Sequence, residues 1–260
     1  MTTIAKPQTN EQQPSFGAGK KLGRMMKWYG QNAGLSLIIF YCVILALYLL
    51  FSIIISVAAE DGSVGGIKNS SYIMLFILSI LFFPQGTRFA LASGVSRRIA
   101  FLSFLCFSLI ACVVITLLDQ LLASGFLALT GRQSEELLQV LYTPQPGFSA
   151  LVSQLICNIS ILLAASAVGY FIGGAYYRMS RIVKILVSAG VPALVIVGLP
   201  LLFMILPPAA QAAVINALQA LGNFLMVSPY RLALCMAVIT VVFFLLAWLL
   251  IRRAPAKNSF

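Results

Sequence analysis

The chain contains no histidine, and only six of its 260 residues are acidic. The first absence removes the commonest general base and the commonest metal ligand. The second leaves few carboxylates for acid–base work, and no two of them share an apolar run. Nucleotide-binding sequence is missing too. The nearest approach to a phosphate-binding loop, Gly17-Ala18-Gly19-Lys20, lacks the earlier glycine and the Ser or Thr after the lysine. There is no HExxH and no GxSxG. An intramembrane protease or lipid hydrolase needs such a constellation. The expectation is a chain that is not an enzyme, binds no metal and holds no cofactor of its own. Charge is scarce as well: 9% of residues are charged, against about 25% in soluble domains. Residues 1–14 are polar and carry no apolar stretch, so no secretory signal is expected there. The five cysteines lie inside apolar runs without CxxC spacing, which predicts small core hydrophobes.

What fills the chain instead is hydrocarbon, 61% of residues being hydrophobic. A water-facing surface cannot be built from such a composition, but a lipid-facing one can. The expected fold is an all-α integral membrane protein with six transmembrane helices. The spans run near Leu35–Ala58, Tyr72–Phe83, Ile99–Leu129, Ala150–Tyr177, Ile185–Leu206 and Leu232–Ile251. The second is expected to start as early as Ile67 and to kink at Pro84 rather than stop. The fifth should be kinked by Pro192 and Pro200, its freed carbonyls satisfied by neighbours. Around this six-helix transmembrane domain, residues 34–253, lie three further segments. Residues 1–19 read as a disordered cytoplasmic tail and 254–260 as a second cytoplasmic tail. Residues 20–33 interleave Lys20, Lys21, Arg24 and Lys27 with Leu22, Met25, Met26 and Trp28. That pattern fits an interfacial amphipathic segment or a plain basic flank of the first span. Short polar stretches connect the spans: Glu60 to Gly66, and Gly131 to Gly147 with a possible short helix at Ser134–Leu141.

The stretch from Pro207 to Pro229 is long enough for a seventh crossing. Gln211, Asn216, Gln219 and Asn223 are spread along it, so it reads as a re-entrant or interfacial helical hairpin on the outer side. Charge bias agrees. With six spans and the N-terminus inside, 14 of the 17 Lys and Arg residues fall on inner segments. Lys68, Arg132 and Arg231 alone fall outside. This is the positive-inside pattern and puts both termini in the cytoplasm. A net charge of +11 would suit nucleic acid if it formed one stripe. Its division into short clusters between apolar runs fits anionic headgroups instead, so the bilayer and not nucleic acid is the expected partner.

Few polar groups enter the spans. Asp119 is the lone acid inside a long apolar run. Counting from Arg98 at about 1.5 Å per residue places it about 31 Å along, near the outer interface. A structural or interfacial role is favoured over a catalytic or proton-coupled one, since carriers group several such residues at the midplane. Gln154 and Asn158 are four apart and share a face, suiting helix joining or a lined path. Ala165, Gly169 and Gly173 form a small-residue ridge whose default use is close helix packing.

The loop between spans 2 and 3 reads QGTRFALASGVSRRIAF, Gln85 to Phe101. Phe89 to Ser93 can form a short helix with Gly94 as its stop, and Ser96 can cap span 3 ahead of Arg97 and Arg98. From the residues alone this is either a compact docking element or an ordinary positive-inside loop. The run Ser93 to Phe101, after an apolar span and Arg88, resembles the cytoplasmic loop of bacterial ABC-2-type permeases. The end of span 4, GYFIGGAYYRMSR (Gly169 to Arg181), is similar to a second feature of that family. The resemblance implies the transmembrane subunit of an ATP-binding-cassette exporter in the cell membrane. Its coupling helix between spans 2 and 3 would involve Arg88, Phe89, Ser93, Gly94, Ser96, Arg97 and Arg98. ATP would sit on a separate ATPase subunit, and a second permease, identical or related, would complete the transporter. The family's interfacial helix and re-entrant element are matched by Lys20–Tyr29 and Pro207–Pro229. A non-transporting scaffold, immunity or sensory subunit needs only the spans and loops, and stands as the alternative.

Overall fold

The computed structural model describes residues 18–58, 67–130, 142 and 148–252. The expected tails over residues 1–17 and 254–260, the Glu60–Gly66 loop and the Ser134–Leu141 helix lie outside the described residues. Among the described residues all regular structure is helical. In lipid every backbone N–H must pair within its own segment, and a run of apolar residues satisfies this only as a helix. The helices are α1 (Ala18–Ala58), α2 (Ile67–Ala92), α3 (Arg97–Thr130) and α4 (Phe148–Arg178), then α5 (Arg181–Ala193) and α6 (Leu199–Ile205) joined by a π-helical turn (Leu194–Gly198). Two more, α7 (Pro208–Met226) and α8 (Pro229–Arg252), complete the order. Six of the continuous helical rods are long and apolar enough to cross a membrane: α1 to α4, the α5–α6 rod and α8.

Helix α1 has 41 residues, about 60 Å at 1.5 Å each. The segment 20–33 is therefore not a separate element but the first turns of span 1, with residues 18 and 19 already inside the helix. Its apolar side explains the continuity. Met25, Tyr29 and Ala33, spaced four apart, are buried. The Tyr29 ring meets Phe82 at 5.3 Å, Phe107 at 5.5 Å and Phe104 at 5.7 Å. Trp28 stacks on Phe89 at 4.9 Å. Gly86 makes room, since a Cβ there would collide with the Tyr29 hydroxyl.

Helix α2 passes through Pro84 without interruption, and Thr87 Oγ1 donates to the Phe83 carbonyl at 2.7 Å. No independent helix stands between spans 2 and 3: Arg88 to Ala92 are the last turn of α2. Helix α4 lies against α2 through its glycine ridge. A Cβ on Gly169 would collide with the Phe76 carbonyl oxygen, and one on Gly173 would lie 2.5 Å from that of Ile80. Helix α8 also packs against α4. An aromatic cluster fills the bundle between α1, α2, α3, α4 and α8, with Phe104 and Tyr170 stacked at 3.8 Å.

Prolines change the helix type within the fifth span without ending its rod, by removing N–H donors. Here the change is a π turn between Pro192 and Pro200, in which the Leu199 N–H reaches back five residues to the Leu194 carbonyl. No residue of α5, the π turn or α6 is buried. The stretch after it departs from the expected hairpin. Helix α7 is one uninterrupted helix of 19 residues. Its Ala-, Leu- and Gln-rich interior favours helix throughout, and Pro208 occupies the first position, where no N–H is needed.

Candidate functional site

One end of the bundle gathers the charge. The contacts of Trp28 with Phe89 and of Phe83 with Tyr177 bring together the start of α1 and the ends of α2 and α4. Arg97 Nη1 donates to the Arg252 carbonyl at 3.3 Å, joining the start of α3 to the end of α8. Lys20, Lys21, Arg24, Lys27, Arg88, Arg97, Arg98, Arg178, Arg181, Lys184 and Arg252 therefore share this end. Among the described residues the opposite end has Lys68 and Arg231. Asp119 is the single acid among the described residues.

The α2–α3 turn sits at the centre of the basic end. Ser93 N–H reaches the Phe89 carbonyl at 2.9 Å, Val95 N–H the Ala90 carbonyl at 2.9 Å, and Gly94 N–H the Leu91 carbonyl at 3.3 Å. This is the Schellman pattern, and it needs a left-handed residue after the helix. Gly94 supplies it at φ 62°. Ser96 caps α3, its Oγ accepting from the Ile99 N–H at 3.4 Å. Arg88, Leu91, Gly94 and Ser96 are exposed, whereas Phe89 is half-buried beneath Trp28. The two arginines diverge. Arg97 turns inward to hold the end of α8. Arg98 is exposed, and its guanidinium makes no hydrogen bond or ion pair among the described residues.

A second polar arrangement runs through the bundle. Asp119 is 1% exposed and accepts from the Tyr41 hydroxyl and from Ser71 Oγ, both at 2.8 Å. Three helices meet at this carboxylate. The next residue on α2, Tyr72, donates to Asn158 Oδ1 at 2.5 Å, so Asp119 and Asn158 become neighbours through α2. Asn158 Nδ2 has no partner among the described residues. Gln154 shares its face but is only half-buried and makes no hydrogen bond among the described residues. Two turns further along α2, Ser79 Oγ donates to Ser166 Oγ at 3.0 Å. Ser166 also lies 2.9 Å from Ser108 Oγ. These serines bind α2, α3 and α4 together, yet nothing in the sequence analysis singled them out. Their only signal is a hydroxyl in the middle of each of three apolar runs.

At the opposite end the Tyr142 hydroxyl donates to the Leu225 carbonyl at 2.6 Å, fastening the end of α7. Burial, and then the Cys157 thiol, raise this phenol above its ordinary range. Among the described residues no cluster of His, Cys, Asp or Glu can hold a metal ion. Asp119, Asn158 and Ser166 join helices through their hydrogen bonds. Comparison with protein-family models, curated proteins and solved structures finds no match to this chain.

Proposed function

We propose that this chain is the membrane-spanning subunit of an ATP-binding-cassette exporter of the ABC-2 type, driven by a separate ATPase subunit. The observation that carries the reading is the basic end. There a capped turn between α2 and α3 holds Arg88, Leu91, Gly94 and Ser96 outward in a fixed geometry. Positive-inside bias supports a cytoplasmic location in the cell membrane for this end, and with it both termini. The last turn of α2 then takes the part of a coupling helix, although it is continuous with the span. Such continuity would transmit an ATPase movement directly to the α2–α4 pair, whose glycine ridge leaves no slack. The six spans would form half of a transporter. The hydrogen bonds of Asp119, Asn158 and Ser166 tie helices of one chain together, which supports a substrate path between two permease copies, identical or related. The re-entrant or interfacial hairpin expected over Pro207–Pro229 is replaced in this reading by a single helix, α7, at the outer surface.

The test is purification of the affinity-tagged chain from its own membranes in mild detergent. An ATP-hydrolysing subunit should copurify, and Arg88→Glu with Leu91→Glu should abolish its recovery while the tagged chain stays folded. A tagged parent chain that brings down no ATPase activity would sink the proposal. One observation favours a second reading: the interior bonds of Asp119, Asn158 and Ser166 tie the bundle's own helices together, which also suits a non-transporting scaffold, immunity or sensory subunit. That reading gains if the chain copurifies with other membrane proteins and no ATPase.

A further inference from the structure

Between α3 and α8 a groove of about 500 Å3 opens toward the lipid. Its floor is Phe101 and Phe244, with ring centroids 6.2 Å apart. Leu102 and Leu105 wall one side, Val241 and Leu245 the other. These residues recur at helical spacing on each rod, so each helix contributes one stripe. Leu102, Val241 and Leu245 are 48%, 58% and 59% exposed. The lining is apolar until the end that lies at the basic side of the bundle, where Trp248 and Arg98 close it. Neither the Trp248 indole N–H nor the Arg98 guanidinium has a hydrogen-bond partner among the described residues. Arg252 follows Trp248 by one turn, is exposed, and lacks a side-chain partner among the described residues.

We propose that this groove is a binding site for an anionic phospholipid, with one acyl chain between α3 and α8 and its phosphate at Arg98, Arg252 and the Trp248 N–H. Charge and depth select this occupant. From Arg98 to Leu105 the groove runs about 10 Å along α3. That covers about two-thirds of one leaflet, half of a hydrocarbon core about 30 Å thick. Basic pockets between spans on the cytoplasmic side suit anionic headgroups, since each Arg near the surface adds attraction that a zwitterionic lipid does not return. A second copy of the chain in the same place would bury an unpaired guanidinium against hydrocarbon, which is costly. The inference goes beyond the permease reading and does not rest on it, because neither ATPase nor substrate enters it.

The test uses the full chain in vesicles. The protein has two tryptophans, and Trp28→Phe leaves Trp248 as the single emitter. Phosphatidylcholine vesicles are doped with phosphatidylglycerol or phosphatidylcholine carrying brominated acyl chains, which quench indole on contact. Brominated phosphatidylglycerol is expected to half-quench Trp248 at a mole fraction at least fivefold lower than brominated phosphatidylcholine. Arg98→Gln with Arg252→Gln should lose that preference, at about fivefold per arginine, with quenching by brominated phosphatidylcholine unchanged. The unchanged arm shows that the double variant is folded with Trp248 in place. Leu245→Phe with Val241→Phe, filling the groove, should weaken quenching by both lipids. Equal quenching by the two lipids in the parent would overturn the proposal, as would a preference that survives loss of both arginines. So would a disulfide between two copies through Leu245→Cys in a cysteine-free background. Failure to copurify an ATPase would leave all of these readings untouched.

Discussion

The glycine ridge of α4 sets the spacing of the bundle, and Gly173→Ala measures how tightly. A Cβ at residue 173 would stand 2.5 Å from the Ile80 carbonyl oxygen and 3.0 Å from Phe83 Cβ. Ordinary contact begins near 3.4 Å, so α2 and α4 must part by about 0.9 Å. The obstacle is backbone, which cannot swing aside as a side chain can. Overpacking of this kind costs about 1–3 kcal/mol. If the helices part as rods, the Ser79–Ser166 bond of 3.0 Å stretches beyond bonding range. That loss adds about 0.6 kcal/mol, the average for hydrogen bonds between transmembrane helices. Alanine's better helix propensity returns about 1 kcal/mol. The net expectation is destabilisation of about 0.5–2.5 kcal/mol, built from these terms. Gly190→Ala on α5 is the control, because a Cβ there meets nothing within 4 Å. It should be neutral or stabilising. Reversible unfolding by SDS in bicelles reads both. The reasoning fails if Gly173→Ala is as stable as Gly190→Ala. It also fails in part if Ser79→Ala costs the same with or without Gly173→Ala, since the bond should already be broken in the glycine variant.

Asp119→Asn should cost about 1 kcal/mol by the same unfolding assay, because both hydroxyls donate to one oxygen, Oδ1, and an amide oxygen there still accepts from both but more weakly than a carboxylate; Asp119→Leu should cost more, leaving Tyr41 and Ser71 donors to find other partners. Gly94→Ala should lose about 1–2 kcal/mol by forcing a side chain into the left-handed region at φ 62°; an equal loss for Ser93→Ala would show that the turn geometry is not the cause. Ser166→Ala removes both serine bonds of the triad and should cost more than Ser108→Ala, measured in the same bicelles; equal costs would mean that Ser166 does not bridge α2 and α3.

The spans were legible because charge or proline bounds each apolar run. Ile99–Leu129 became Arg97–Thr130, Ala150–Tyr177 became Phe148–Arg178, and Leu232–Ile251 became Pro229–Arg252. The Gly94 stop and the Ser96 cap were legible for a local reason: both depend on residues within one turn. What stayed hidden depends on partners distant in sequence. Residues 20–33 carry a basic face that suits an interface, and only contact with Phe82, Phe104 and Phe107 reveals that Tyr29 is core. Arg97 and Arg98 read as one pair, but neighbours on a helix point about 100° apart. One meets the end of α8 and the other the groove between α3 and α8. The serine triad was invisible because a lone serine in an apolar run says nothing of which helix it faces. Asp119 was legible as the lone acid of its apolar run, whereas its burial depends on Tyr41 and Ser71.

The number of crossings follows from where the helices end. Helix α4 finishes at the basic end with Arg178, and α5 begins there three residues later. Helix α8 also finishes at the basic end, because Arg97 holds the Arg252 carbonyl, so α8 starts at the opposite end. The chain between Arg181 and Ser228 must therefore cross an odd number of times. It contains two helical rods, α5–α6 of 25 residues and α7 of 19. Both cannot cross, for that would bring α8 to the wrong end. The α5–α6 rod is the one apolar enough to span. On the proposed topology helix α7 then begins and ends on the far side. Its residues sort accordingly: Asn216, Gln219 and Asn223 fall on one face, and Val214, Leu218, Leu221 and Leu225 on the other. In a cysteine-free background, Asn223→Cys should therefore react with a membrane-impermeant maleimide added outside intact cells. Arg88→Cys should react only after the cells are opened. Protection of Asn223→Cys together with outside labelling of Arg88→Cys would invert the topology. Labelling of both from one side would place α7 across the membrane and refute the six-span fold.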